Sequence, residues 1–418
     1  MVDAQKRFWP LAAIVAVVAL LLYLPTLKYD YTYLDDNNLV LDQQGLLQLP
    51  SSLYEVFGRS FFGDTADTYY RPVVNMSFVI NGLANGVRPS GYHLVNVLLH
   101  AGACVLLLML LIGLGIGNLS SLLAALFFAV HPVNAASVAW IPGRNDTLLG
   151  CFTFGACLLL LRKAHRPGLL PKAGHLTCLL LALFTKETAL CLPLLFIAAL
   201  FAAHGRRALH GRRWMWGGWA IVLAAYFVAR YAVVTAPPGY VMGQLQTAWQ
   251  RWPELLSDIG KLLLPVRLQV LAAPQDVLWW PGVVVIVIAG AACFLRGMRR
   301  GIVVFALALV LLPLLMSLLG ASYVVLETRL YLPAAGMCVL LGEVLRTTRS
   351  RGTKRSIAAF GVVAIFIISL GFVNLRYVPN FRDRYSFSNA AIEGSHSSSV
   401  AHSLRFRALH PDISNRPQ

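Results

Sequence analysis

The sequence predicts an all-α polytopic membrane protein, and three observations predict it. Apolar runs recur along the whole chain of 418 residues. Only 13% of residues are charged, about half the usual share in a soluble domain, and the mean hydropathy is +0.66. Basic residues gather in connectors that alternate with the apolar runs. The net charge of +17 therefore reads as topology-setting charge, not as a nucleic-acid surface, and no nucleic-acid partner is expected.

Runs of roughly 17–25 apolar residues are span candidates. Candidates, some of them shorter than this, fall near residues 9–27, 92–114, 119–135, 147–161, 175–186, 188–203, 214–235, 281–296, 302–320, 331–345 and 357–374. The first, "WPLAAIVAVVALLLYLP", lacks a small-residue cleavage site and reads as a transmembrane helix, not a cleavable signal. Lys6, Arg7 and the connectors "RKAHRPGLLPK", "HGRRALHGRR", "RGMRRG" and "RTTRSRGTKR" hold 18 of the 35 Lys and Arg residues. The positive-inside rule places them on the cytoplasmic face. A bundle of about eleven crossings keeps all of them there. Its N-terminus is then cytoplasmic and its C-terminal tail exported, as in a bacterial inner membrane.

Two domains follow. Residues 1–374 form the transmembrane unit, with a first outer loop at 28–91 that reads as helical. The stretch 236–280 must begin and end outside, and its part near 252–272 reads as a re-entrant or interfacial helix. Residues 375–418 are a polar tail with helical spacing around a Gly-Ser break, like one tetratricopeptide-like hairpin, which buries little core without neighbours. The seven cysteines lie in apolar runs, so no disulfide framework is expected.

Outside, charges of both signs recur, and ionisable groups beside a bilayer are costly enough to mark functional candidates. "YLDDNNLV" carries Asp35 and Asp36. Neighbouring like charges raise at least one pKa, which suits a carboxylate that accepts a proton; an N-cap for a short helix is the plainer use. "TYYRPVVNMSF" sets Arg71 beside Tyr70, where a guanidinium could fork onto a phosphate or simply anchor the interface. "GYHLVNVLLH" puts His93, Asn96 and His100 on one helical face. The two histidines lie about 10 Å apart along that helix, too far to share a metal, so cavity lining or helix packing explains them better. "HPVNAASVAWIPGRNDTLL" offers His131, Arg144 and Asp146. "LFTKETALCLP" places Lys186 and Glu187 at an outer turn, where half-buried charge needs partners. "VLETRLYLP" delivers Glu327 and Arg329 at another. Arg230 sits within a span, either snorkelling or lining a cavity. No Gly-rich phosphate loop precedes a helix, which disfavours a cytoplasmic nucleotide site. An outward cavity rich in Arg and Lys suits an anionic, lipid-linked substrate.

Six stretches in order carry a resemblance: "YLDDNNLV", "YRPVVNMSF", "GYHLVNVLLH", "FFAVHPVNAASVAWIPGRNDTL", "LFTKETALCLPLL" and "ETRLYLPAAG", across residues 30–340. The chain resembles the C-type (GT-C) superfamily of membrane glycosyltransferases. Within it, the closer likeness is to transmembrane O-mannosyltransferases with tetratricopeptide repeats and to their bacterial relatives. The resemblance implies a polyprenyl-phosphate-linked sugar as donor and an exported protein as acceptor, with membrane lipids around the chain. It implies Asp35 as catalytic base with Asp36 tuning it, and inversion at the anomeric carbon. Arg329, Arg71, Lys186 and Arg144, in falling order, are the expected donor-phosphate cations. Tyr70, His93, Asn96, His131, Asp146, Glu187 and Glu327 are the expected cavity lining. No cofactor is specified; a divalent cation could bind carboxylate oxygens, but no spacing demands one, and the metal is left unknown. Two features depart from the family. Ala136 stands where the family usually has a Glu, and the repeat array is reduced to one hairpin. Sugar transfer to a lipid or cell-surface polysaccharide, a transporter or flippase, and a catalytically silent relative are the alternatives.

Overall fold

The structure is a computed structural model. It describes residues 2–32, 34–63, 68–161, 168–205, 212–234, 248–294, 297–320, 324–349 and 353–409. The basic connectors lie partly outside these residues, as does the end of the tail.

Every apolar run predicted as a span contains a helix. In chain order the principal helices are α1 (Val2–Tyr23), α2 (Pro72–Asn85), α3 (Pro89–Gly113), α4 (Asn118–Val130), α5 (Ala135–Ala139), α6 (Arg144–Leu160), α7 (Leu169–Leu183) and α8 (Leu192–His204). They continue as α9 (Arg213–Val233), α10 (Trp252–Lys261), α11 (Trp280–Cys293), α12 (Arg300–Leu318), α13 (Tyr331–Arg349), α14 (Thr353–Tyr377), α15 (Arg384–Gly394) and α16 (Ser399–Leu409). Only an isolated bridge between Ala272 and Val325 has strand character among the described residues.

Seven helical segments among the described residues are long and apolar enough to cross a membrane, and the bent pair Asn118–Val130 with Pro132–Ala139 makes an eighth. The chain is thus an integral, multi-pass membrane protein. The other three predicted spans fall on α6, α7 and α11, of 17, 15 and 14 residues, shorter than the roughly 20 residues that cover a bilayer core. The expected eleven segments are helical; the number long enough to span unaided is smaller.

Burial explains the layering. In α13, 83% of the apolar window is buried, against 11% for the segment containing α14. α13 is the central helix, packed on α4, α6 and α12. α14 and α9 present Ile365, Phe372, Ile221 and Val228 outward, as helices at a lipid-facing periphery do.

The bend after α4 follows from local chemistry. Pro132 disfavours helical backbone at the preceding residue, and His131 is extended, at φ −66° and ψ 125°. Freed carbonyls deep in a membrane need partners. Asn134 Nδ2 donates to Phe128 O at 2.7 Å, and Asn374 Nδ2 donates to Val130 O at 3.0 Å.

The loop at 28–91, expected outside, is helical through short turns at Asn37–Leu41, Gln44–Leu47, Ser52–Glu55 and Val56–Gly58 and through α2 itself. The helix expected near 252–272 is confined to α10. Pro265 follows closely, and the chain beyond runs to Trp279 with only the bridge at Ala272 and a single 3-10 turn at Pro274–Asp276. α10 turns a polar face inward, burying Glu254, Ser257, Asp258 and Lys261, while Trp252 stays half exposed. α15 and α16 form the tail hairpin and pack on each other.

A candidate active-site cavity

A cavity of about 410 Å³, within the usual range for small-molecule sites, opens where the segments expected on the outer face converge. Asp35, Arg71, Lys186, Glu187, Arg230 and Arg329 supply its charged lining. They come from the first loop, the start of α2, the turn between α7 and α8, the end of α9 and the turn before α13.

Asp35 reaches the cavity through an unusual backbone. Leu34 has φ 66°, in the left-handed region that costs an L-residue roughly 1–2 kcal/mol. Such strain persists only where surrounding contacts impose it. Here it turns the two acids apart. Asp35 lines the cavity, while Asp36, 1% exposed, accepts hydrogen bonds from the Thr32 amide and from Thr32 Oγ1, the latter at 2.8 Å. Burial pushes the Asp36 carboxyl up to about 7; the Thr32 bonds oppose this, the Asp35 charge adds to it and Arg384 reduces it.

The cations differ in how firmly they are engaged. Arg71 donates to Glu187 Oε2 through Nε at 3.0 Å and Nη2 at 2.8 Å, and its guanidinium lies 4.5 Å from the Tyr69 ring centre. Lys186 Nζ donates to both Asp146 oxygens at 2.6 and 2.8 Å. Arg329 is held more loosely. Its Nη1 lies 3.5 Å from Glu254 Oε2, a carboxylate already forked by Arg251 at 2.8 and 2.7 Å. Its Nη2 donates to Val324 O at 3.2 Å. An incoming anion would meet the least competition at Arg329.

Arg144 sits elsewhere. It is fully buried. Nε donates to Asn96 Oδ1 at 2.8 Å, Nη2 to Tyr92 O at 2.9 Å and Nη1 to Ser77 O at 3.1 Å. The Phe78 ring covers it at 4.5 Å. It joins α2, α3 and α6 from inside and does not line the cavity.

Most of the residues expected as lining are likewise behind the wall. Asn96 is spent on Arg144 and on the carbonyls of Trp140 and Ile141 at 3.1 Å each. His93 is buried edge-on to Tyr29. His131 is buried and its Nδ1 accepts from the Val133 amide. Tyr70 donates to Phe57 O at 2.9 Å, and its neighbour Tyr69 lines the cavity instead. Asp146 stands behind Lys186. Glu327 accepts from Lys261 Nζ at 2.9 Å, the Gln269 amide at 2.8 Å and Tyr377 OH at 2.9 Å. Of the seven expected lining residues, Glu187 alone lines this cavity. Ala136 is also buried and outside the lining. Among the described residues, no three His, Cys, Asp or Glu side chains group as a metal site.

Sequence reasoning passed over Trp140, Asn145 and Thr188 in the lining and left Arg230 undecided. Arg230 Nη2 donates to Thr68 O at 2.7 Å, which fixes it at the cavity wall. An Arg inside an apolar run was the available signal. The acids of α10 were legible only as an amphipathic period.

The cavity thus gathers two carboxylates, Asp35 and Glu187, and four cations, Arg71, Lys186, Arg230 and Arg329, from five separate segments of the helical bundle. Relatives of the chain include protein O-mannosyl-transferases. It is 35% identical over 159 residues to Protein O-mannosyl-transferase tmtc2 of Xenopus laevis, covering 37% of this chain and 19% of that protein. It is 35% identical over 189 residues to Protein O-mannosyl-transferase Tmtc1 of Drosophila melanogaster, covering 43% of this chain and 21% of that protein. It is 34% identical over 164 residues to Protein O-mannosyl-transferase TMTC4 of Homo sapiens, covering 35% and 22%. The matched region is about a fifth of the length of these relatives. No protein-family model matches. Among solved structures, ArnT from Cupriavidus metallidurans bound to undecaprenyl phosphate aligns with 97% of this chain and 80% of its own, at 14% identity and a TM-score of 0.48. The resemblance read from the six stretches and the relatives found agree.

Proposed function

We propose that the chain is an inverting glycosyltransferase that moves a sugar from a polyprenyl-phosphate donor to a Ser or Thr hydroxyl of an exported protein. The observation that carries this reading is the placement of Asp35 in one cavity with Arg71, Lys186 and Arg329. Similarity to protein O-mannosyl-transferases supports the acceptor class, and the apolar bundle suits a lipid-borne donor.

Asp35 removes the proton of the acceptor hydroxyl as its oxygen attacks the anomeric carbon. The bond from that carbon to the phosphate oxygen breaks on the opposite face, which inverts the centre. The polyprenyl phosphate leaves with the electron pair, so no general acid is needed, unlike a glycosidase with two flanking carboxylates. Arg329, with Arg71 and Lys186 behind it, stabilises the developing phosphate charge. Arg144 has no part in this reading. A bacterial inner membrane, with the cavity facing outward, is the proposed setting.

Glycoproteome and lipid-linked sugar profiling of a deletion strain, complemented with wild type or Asp35→Asn, tests the reading. Wild type restores protein glycosylation and the variant does not; restoration by the variant removes Asp35 from the mechanism.

A further inference from the structure

The tail hairpin touches both sides of the cavity wall. Just before α15, the Asp30 amide donates to Arg382 O at 2.8 Å, five residues ahead of Asp35. Asp383 fixes the start of α15 by accepting from the Ser386 amide at 2.7 Å, a side-chain cap. Phe387, fully buried, packs 5.9 Å from Trp140, which lines the cavity. At the hairpin turn, Ser395 Oγ donates to Asp276 Oδ2 at 2.6 Å and accepts from the Ala273 amide at 2.9 Å. The Ser397 amide and hydroxyl both donate to the same Asp276 oxygen, the amide at 3.1 Å. Gln269 Nε2 donates to Gly394 O.

The loop gripped in this way leads to the cations. The Gln269 amide donates to Glu327, two residues from Arg329. Ala272 and Val325 exchange backbone hydrogen bonds of 2.8 and 3.4 Å. One chain of contacts therefore runs from the segment before Asp35, through the hairpin, to the segment bearing Arg329.

We propose that the C-terminal hairpin is a strut, and that Asp276, held by Ser395 and Ser397, is a positioning residue that fixes the spacing between the acid loop and Arg329. Asp276 touches no cavity group and acts through Gln269 and Glu327. Misplacing a reacting group by about 1 Å costs on the order of a hundredfold in rate, so a loosened strut lowers turnover without removing any cavity side chain.

The test uses hydrogen exchange on the full chain in detergent, because local opening shows in exchange rates. The triple variant Asp276→Ala/Ser395→Ala/Ser397→Ala is compared with wild type and with Asp276→Asn, which keeps an acceptor oxygen. In the triple variant, amides of 384–409, 29–36 and 324–330 exchange about tenfold faster or more, those of 339–349 do not change, and Asp276→Asn is affected less. Faster exchange in the hairpin with no change at 29–36 and 324–330 overturns the proposal. So does a hairpin that stays protected, because these bonds then do not hold it, or an equal loss at 339–349, which marks general unfolding. A kinetic arm rests on the transfer reading: kcat falls about tenfold or more while donor KM holds. If wild type transfers no sugar, that reading fails and the exchange arm still decides the strut.

Discussion

Asp35 and Asp36 are chain neighbours in opposite environments. One lines the cavity; the other is turned inward onto Thr32. The hinge between these directions is the left-handed Leu34. On the proposed reading the two acids divide their tasks, as environment divides roles in other carboxylate pairs.

The first prediction concerns pH. Burial raises the Asp36 carboxyl to about 7 in the folded protein, against an ordinary 3.8. The folded state thus holds this proton more tightly than the unfolded state. The contribution to stability is fully present below the ordinary value and is lost as pH rises through about 7. Melting temperature of wild type should fall between pH 5 and 8, and Asp36→Asn should flatten that slope. Ionisation of Asp36 beside Asp35 should also put an inflection near pH 7 in the transfer rate that the variant lacks. A variant that keeps both slopes unchanged contradicts this assignment.

Two arginines separate binding from folding. Arg329→Gln should keep its melting temperature and lower kcat on the order of a hundredfold, the usual cost of losing one charge-stabilising donor. Arg144→Ala should do the reverse. It strands the buried acceptors of Asn96, Tyr92 and Ser77, a loss of about 3 kcal/mol or more. Thermal melting beside donor kinetics on both variants distinguishes these outcomes; kinetic loss with an unchanged melt in Arg144→Ala contradicts the buried-joint role.

The Lys261–Glu327 pair offers a third check. Both side chains are buried, at 2.9 Å. Lys261→Met leaves Glu327 charged and buried, costing about 3–5 kcal/mol, whereas replacing both partners by apolar residues recovers much of that loss. The double-variant cycle in chemical denaturation measures the difference. Additive losses would show that the two side chains do not act as a pair.

Topology is testable with two surface positions. Tyr54, in the loop expected outside, and Leu170, within a basic connector expected inside, are both about four-fifths exposed. An impermeant thiol reagent should label Tyr54→Cys in intact spheroplasts and Leu170→Cys only after lysis. Equal labelling of both before lysis contradicts the crossing scheme.

Helices were legible because apolar length and charge asymmetry are properties of the chain itself. Near the end of α13, Glu343 is held by Arg299 and Arg346 at 2.6 and 2.7 Å, a pairing that joins the basic connectors to a span end. The lining was less legible, because it depends on how helices turn against each other. In sequence Arg144 and Arg329 look alike: each sits at a span end with an acid two residues away. Only packing shows that Arg144 points among Phe78, Tyr92 and Asn96 while Arg329 meets the cavity. Glu187 and Glu327 separate for the same reason. Likewise Asp276 and Ser395 are ordinary loop residues until the hairpin docks.

The most direct test is transfer by purified protein from a polyprenyl-phosphate sugar to a Ser/Thr peptide, comparing wild type with Asp35→Asn at equal folded concentration. Transfer with inversion by wild type, and a loss of about 10²–10⁴-fold in the variant, the span of general-base contributions, is the expected result. Undiminished transfer by Asp35→Asn contradicts the central claim.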